Sequence, residues 1–135
     1  MTVILVVDDD DSVRTMLARL LRTAGHEVVQ AKSGAAARET VAAQAVEVIV
    51  SDIVMPGDSG IDLRRWLAEH HPSVPVILTS GYSPDAPAEF AAQIPRTWFL
   101  QKPFGAGELL GLISEVVAST AGVPLPASPA EGRSF

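Results

Sequence analysis

The chain has 135 residues, a length that fits one compact domain, and its formal net charge of −6 argues against nucleic acid as a direct partner. The absence of cysteine excludes disulfides, thiol catalysis and cysteine-ligated zinc, and it fits a reducing compartment. No apolar run approaches the roughly 20 residues that a membrane helix needs, and the first residues lack the basic start of a signal peptide. We therefore expect a cytoplasmic protein with no membrane partner.

Short aliphatic runs alternate with segments of helical period along the chain. The runs predict five strands, at Val3–Val7, Val28–Val29, Val46–Val50, Val76–Leu78 and Trp98–Leu100. After the first strand, a helical stripe is formed by Val13, Met16, Leu17, Leu20, Leu21 and Ala24. Residues 34–43 are rich in alanine and favour a helix by propensity. Further stripes are formed by Leu63, Trp66 and Leu67 and, after the last strand, by Leu109, Leu112, Ile113, Val116 and Val117.

Capping residues support these boundaries. Gly25 ends the first helix, and Ser33, Ser59 and Ser83 stand where helix N-caps are expected. Pro84 and further prolines in the fourth crossover predict a helix there that is short or displaced.

The order of the elements predicts an α/β fold for residues 1–118. Continuous apolar strands are typical of burial on both faces, and short right-handed crossovers then give a parallel sheet covered by helices on both sides. We predict a (βα)5, doubly wound, five-stranded parallel sheet with the strand order 2-1-3-4-5. Residues 119–135 are rich in proline and alanine, show no period and predict a disordered tail or the stub of a linker.

Polar residues follow the predicted strands at the edge where such a sheet binds ligands. Asp8 and Asp9 follow the first strand and Asp52 ends the third, while Thr79 and Lys102 end the fourth and fifth. Clustered carboxylates repel one another, and the three aspartates offer the oxygen ligands that Mg²⁺ prefers, with Mn²⁺ as an alternative. The ion could bridge to a phosphoryl oxygen while Thr79 and Lys102 hold the others, which predicts phosphoryl transfer.

Other polar residues have simpler explanations. Asp10 and Asp11 suit the start of a helix, where acidic groups are favoured, and Asp62 suits the first turn after the Ser59 cap. The pair His70 and His71 precedes a proline and is typical of a helix C-terminus rather than of a metal site.

Four short motifs, in this order and spacing, resemble the receiver domain of bacterial two-component response regulators over roughly residues 2–118. They are Val-Val-Asp8-Asp9, Ser-Asp52-Ile-Val-Met-Pro, Val-Ile-Leu-Thr79-Ser and Lys102-Pro-Phe. The resemblance implies the flavodoxin-like receiver fold and a phosphorelay switch rather than a metabolic enzyme. It also implies that a sensor histidine kinase or a histidine phosphotransfer protein donates the phosphoryl group.

The resemblance also implies a role for each matching residue. Asp52 would accept the phosphoryl group as an aspartyl phosphate, and Asp8, Asp9, Asp52 and the Val54 carbonyl would bind Mg²⁺. Phosphoryl oxygens would contact Val54, Ser80 and Lys102. Thr79 would hydrogen-bond the phosphoryl group and move with it, and Phe99 matches the position of an aromatic switch that turns inward.

Departures from the family pattern bear on the lifetime of the phosphoryl group and on dimer formation. Val54 is apolar where many relatives carry a polar group, and Gly81 offers no side chain two residues after Thr79, so the phosphoryl lifetime stays open. The segment around the fourth and fifth predicted helices carries few charged residues, and a monomer is favoured over the family dimer that uses charged pairs there.

Two alternatives stay open at this point. A small Mg²⁺-dependent phosphohydrolase would use Asp8 as nucleophile and Asp10 as acid, and a receiver-like adaptor would signal by contact alone. The downstream protein partner is not indicated. The predicted domain is a single-domain regulator, a phosphorelay shuttle or a piece of a larger kinase.

Overall fold

The structure is a computed structural model that describes residues 2–55, 57, 59–80 and 96–120. The described residues form five strands and four helices. In chain order these are β1 (Val3–Val7), α1 (Asp11–Thr23), β2 (Glu27–Ala31), α2 (Gly34–Ala43), β3 (Val48–Asp52), α3 (Gly60–His70), β4 (Val76–Ser80), β5 (Thr97–Gln101) and α4 (Ala106–Thr120). The predicted fourth-crossover helix, with Ser83 and Pro84, lies outside the described residues, as do Gly81 and the chain from residue 121 onward. Helix α4 includes Ser119 and Thr120, which the sequence had placed in the tail.

The five strands form one parallel sheet in the order β2-β1-β3-β4-β5. This confirms the predicted order, and the strands differ from prediction only at their ends. The third strand begins at Val48 rather than Val46 and continues to Asp52, so the candidate acceptor is the last residue of the strand. Strand order reverses between β1 and β3, which places their carboxyl ends side by side.

Alternate residues of each strand enter two separate cores. One core joins the sheet to α1 and α4, and its strand residues include Ile4, Val6, Val50, Ile77, Trp98 and Leu100. The other joins the sheet to α2 and α3, and its strand residues include Leu5, Val7, Ile49, Val76 and Leu78. Helices therefore cover both faces, as the apolar strands predicted. No helix among the described residues is long and apolar enough to cross a membrane.

The helix ends at Gly25 and Ser33 follow the capping predictions, and Asp10 is a cap that the sequence analysis had not assigned. Asp10 caps α1 by accepting hydrogen bonds from the backbone N–H groups of Ser12 and Val13. Gly25, just after this helix, has φ +97°, a conformation that glycine adopts without strain. Ser33 caps α2.

The predicted stripe of α1 is wrong at two of its members. Met16 is 58% exposed, while Ala18 is buried beside Leu17. Ala24 is exposed because the helix ends at Thr23, so this residue no longer follows the helical period.

The start of α3 packs closely against the end of β3. A Cβ atom on Gly60 would lie 2.4 Å from the carbonyl oxygen of Asp52 and 3.0 Å from the Cα of Ile53. The Gly60 N–H donates to the Ile53 carbonyl at 2.8 Å. Ser59 and Asp62 form a capping box that begins the helix. The main chain that follows Asp52 is therefore held against α3, and a side chain at position 60 would force it away.

We expect Gly60→Ala to lower the free energy of unfolding by roughly 1–3 kcal/mol, because the added methyl group overlaps main-chain atoms that must shift. Gly111→Ala is the matched control: nothing lies within 4 Å of its Cβ position, and alanine is favoured over glycine inside a helix by about 1 kcal/mol. Urea denaturation of both variants measures the difference. Equal stabilities would contradict the close approach.

Candidate functional site

Three carboxylates meet at the carboxyl end of the sheet. Asp8 and Asp9 follow β1, and Asp52 ends β3. Each offers a carboxylate oxygen, and these oxygens all lie within 4.8 Å of one another. Asp8 is buried, Asp52 is half-buried and Asp9 is exposed. The cluster that the sequence predicted is therefore present at the point where the strand order reverses.

A single ammonium group faces two of these carboxylates. The Lys102 Nζ lies 3.5 Å from the Asp8 Oδ2 and 3.6 Å from the Asp52 Oδ2. Lys102 follows β5, so its side chain reaches past the end of β4 to the end of β3. The peptide bond between Lys102 and Pro103 is cis. The predicted position of the amine opposite the acidic groups is thereby confirmed.

The main chain fixes one oxygen of each buried or half-buried carboxylate. The Asp8 Oδ1 accepts from the Asp10 N–H at 2.9 Å, and the Asp8 N–H donates to the Ala31 carbonyl at 3.2 Å. The Asp52 Oδ1 accepts from the Val54 N–H at 3.4 Å. The second oxygen of each carboxylate faces the ammonium group and the shared cleft.

The environment of Asp52 raises its pKa above the ordinary value for an aspartate. Burial is the largest cause, and the neighbouring charges of Asp8 and Asp9 act in the same direction. The Lys102 ammonium and the Val54 N–H oppose this shift. One lysine therefore does not offset the burial and repulsion that the carboxylate of Asp52 experiences.

The donor set fits a hard divalent cation. Carboxylate oxygens are the ligands that Mg²⁺ prefers, and oxygens that share an octahedral Mg²⁺ lie about 3–4 Å apart. The three oxygens here lie within 4.8 Å of one another, close to the spacing that one ion requires. A double positive charge would also relieve the repulsion that raises the pKa of Asp52.

Hydroxyl and aromatic side chains flank the acidic cluster on β4 and β5. Thr79 is buried and pairs with Asp52 across the sheet, and its carbonyl accepts the Ile53 N–H at 2.9 Å. Ser80 ends β4, but its side chain lies outside the described part of the structure. Phe99 is half-buried and packs against the core beneath α2 and α3. Val54 presents an exposed side chain two residues after Asp52.

The simpler explanations for other polar residues are confirmed. Asp10 is the N-cap of α1, and Asp11 forms an ion pair with Arg14. Asp62 belongs to the capping box of α3, which lowers the pKa of its carboxyl group by hydrogen bonding. Helix α3 ends at His70, whose ring stacks on Trp66 at 4.7 Å between centroids.

Sequence reasoning did not single out two arginines that the structure places in polar contacts with the main chain. The Arg14 Nη1 donates to the Asp8 carbonyl at 2.8 Å, beside the acidic cluster. Arg64 is buried and donates to the Val74 carbonyl at 2.7 Å. The signal for Arg14 was its spacing of three residues from Asp11, which places both on one side of a helix.

We expect Lys102→Met to raise the pKa of Asp52 further, because the ammonium group is the main influence that lowers it. A carboxyl ¹³C NMR titration in buffer free of divalent ions measures this shift. Lys32→Met is the matched control, since Lys32 is the chain's other lysine and is exposed after β2. An unchanged or lowered pKa for Asp52 in Lys102→Met would contradict the assigned contact.

Comparison with known proteins adds independent evidence. The family model described as "Response regulator receiver domain" matches residues 4–114. The chain is 34% identical over 116 residues to the DNA-binding transcriptional regulator NtrC of Escherichia coli K12, covering 86% of the chain and 25% of that protein. It is 37% identical over 119 residues to the sensor kinase CckA of Brucella abortus, covering 84% of the chain and 12% of that protein. The chain thus spans a quarter or less of these two relatives.

Solved structures agree with these matches. A response regulator receiver domain protein from Clostridium thermocellum has a TM-score of 0.84 at 27% identity, covering 90% of this chain and 98% of that one. The response regulator protein TrrA of Thermotoga maritima, solved in complex with Mg²⁺-BeF, has a TM-score of 0.77 at 26% identity, covering 86% of this chain and 99% of that one.

Proposed function

The chain belongs to the family of response regulator receiver domains, and we propose that its Asp52 accepts a phosphoryl group from a phosphohistidine in a Mg²⁺-dependent reaction. The donor would be a sensor histidine kinase or a histidine phosphotransfer protein. The observation that carries this proposal is the half-buried Asp52 carboxylate, whose Oδ2 faces the Lys102 ammonium and which lies in one cluster with Asp8 and Asp9.

The proposed reaction is a direct displacement at phosphorus. An oxygen of Asp52 forms the new O–P bond while the P–N bond to the donor imidazole breaks, and the imidazole nitrogen keeps that electron pair. When bound, Mg²⁺ supplies positive charge to the transferring phosphoryl group. Asp8, Asp9, Asp52 and the Val54 carbonyl are the groups we assign to hold it.

The remaining groups of the cleft orient the phosphoryl oxygens. We assign one oxygen to the Lys102 ammonium, which lies beside Asp52. Another would accept hydrogen bonds from the Thr79 hydroxyl and the Ser80 position at the end of β4. Fixed donors at a developing charge stabilise the transition state without rearrangement at the moment of reaction.

We propose that phosphorylation changes the surface of the domain that binds partner proteins. Thr79 pairs with Asp52, and its strand neighbour Leu78 pairs with Phe99 on β5. A movement of Thr79 toward a phosphoryl group would therefore reach Phe99 through adjacent strands. The chain would act as a switch that catalyses its own phosphorylation in order to transmit a signal. Its lack of cysteine fits the reducing environment of the cytoplasm.

The phosphohydrolase alternative is disfavoured by the position of Asp10. Its carboxylate accepts the N–H groups of Ser12 and Val13 at the start of α1, so it serves as a helix cap rather than as an acid in the cleft. The adaptor alternative is disfavoured by the intact set of acidic, hydroxyl and amine groups around Asp52.

A groove of about 310 Å³ borders the cleft and suits the approach of a protein donor. It is lined by Val13, Met16 and Leu17 of α1 and by Lys102, Pro103 and Phe104. Lys102 belongs to both the groove and the acidic cleft, so a protein that brings a phosphohistidine to Asp52 would cover this groove. The exposed Met16 would be an apolar contact for that protein.

We expect Asp52→Asn to abolish phosphorylation by acetyl phosphate in the presence of Mg²⁺, because an amide oxygen does not replace the carboxylate nucleophile. Phosphate-affinity gel electrophoresis and intact mass measure the product. Glu39→Gln is the control, because it makes the same carboxylate-to-amide change at an exposed position of α2, and we expect it to be labelled like the unaltered protein. Labelling of Asp52→Asn at the same rate would defeat the assignment.

We expect Met16→Glu to slow phosphotransfer from a protein donor by about tenfold, since loss of one apolar contact is worth about 1.5 kcal/mol. Labelling by acetyl phosphate should not change. Thr15→Glu, an equally charged change on α1 outside the groove, is the control. The purified histidine kinases of the source organism serve as donors. The rate of phosphotransfer from each kinase is measured for the unaltered protein, Met16→Glu and Thr15→Glu. Equal slowing by both substitutions would argue against the groove.

A further inference from the structure

Arg14 links three elements at the acidic end of the sheet. Its side chain, 14% exposed, extends from α1. The Nη1 group donates to the Asp8 carbonyl at 2.8 Å, and the Nε group donates to the Gln30 side-chain oxygen at 3.3 Å on β2. The Nη2 group pairs with the Asp11 carboxylate. All three nitrogens of the guanidinium group therefore have a partner.

We propose that Arg14 is a positioning residue for the magnesium site, which it serves by fixing the peptide unit between Asp8 and Asp9. This inference rests on the proposed function, because it assumes that these aspartates and Asp52 bind the ion. Arg14 itself contacts neither the ion nor the phosphoryl group.

The carbonyl that Arg14 holds is the group that joins two of the assigned ligands. The Asp8 carbonyl and the Asp9 nitrogen belong to one planar peptide unit, so fixing the carbonyl sets the direction in which the chain leaves toward Asp9. The other side of Asp8 is already fixed by its N–H bond to Ala31 and by the bond from Asp10 to its Oδ1. Arg14 supplies the remaining main-chain restraint at this residue.

Electrostatics alone predicts the opposite effect on Mg²⁺ binding. A guanidinium group beside the cleft repels a divalent cation, so its removal would strengthen binding if charge were its main contribution. Removal would also leave the negative charge of Asp11 unpaired, which acts in the same direction. A positioning role predicts weaker binding, so the sign of the change separates the two explanations.

An Arg14→Lys variant separates the charge of Arg14 from its hydrogen-bonding geometry. Lysine keeps the charge but does not present the planar fork that reaches the Asp8 carbonyl and Gln30 together. Arg22 gives a matched control on the same helix, because its Nη2 donates to the Val28 carbonyl of β2 at 3.2 Å, away from the acidic cluster.

The test is calorimetric titration of the full chain with MgCl₂ for the unaltered protein and for Arg14→Met, Arg14→Lys and Arg22→Met. Loss of a group that orients a metal ligand weakens affinity by about tenfold or more. We expect that loss in both Arg14 variants and a change below about twofold in Arg22→Met. Thermal unfolding of each protein verifies that it is folded at the titration temperature, and Arg14→Lys carries the test if Arg14→Met is not.

Three results would overturn the inference. Tighter Mg²⁺ binding by Arg14→Met would assign the residue an electrostatic role, and unchanged binding by Arg14→Lys would show that charge without the fork suffices. An equal loss in Arg22→Met would assign the effect to the stability of α1. Separately, failure of the unaltered protein to bind Mg²⁺ would remove the magnesium site from the proposed function, and this inference with it.

Discussion

The repulsion among the carboxylates of Asp8, Asp9 and Asp52 is the constraint on which the rest of the site depends. The topology of the sheet forces it, because the carboxyl ends of β1 and β3 are neighbours. Burial adds a second cost, since it raises the pKa of Asp52 and leaves less water to screen the charge of Asp8. The fold tolerates this arrangement through one ammonium group and a set of main-chain hydrogen bonds. The charge and the oxygen atoms of this cleft suit a divalent cation.

The packing around the cleft explains why these groups keep their places. Alternate residues of β1 and β3 enter separate aliphatic cores, so neither strand can rotate without disturbing both faces of the sheet. Asp10 caps α1 directly after Asp8 and Asp9, and Gly60 allows α3 to pack against the main chain after Asp52. The groups of the cleft therefore lie at the ends of strands and on the short segments that directly follow them, between packed elements.

Most of the fold and the central residues of the site could be predicted from the sequence because their signals are local. Apolar runs predict the strands, and the predicted strand order determines which strand ends are neighbours. The sequence therefore predicts that Asp8, Asp52 and Lys102 lie close together. Met16 and Arg14 could not be placed in this way. The exposure of Met16 depends on which side of α1 faces the sheet, and the contact of Arg14 depends on the path of a main-chain carbonyl. Such features follow from tertiary packing, which a periodic pattern does not encode.

The position of β5 has a mechanical consequence. Within the described residues this strand pairs with β4 alone, so its outer edge has no ladder of backbone hydrogen bonds to break when it shifts. Trp98 and Phe99, adjacent on this strand, project into opposite cores. A displacement of Lys102 toward the cleft would therefore act on an edge strand of the sheet, and through Trp98 and Phe99 it would reach both hydrophobic cores.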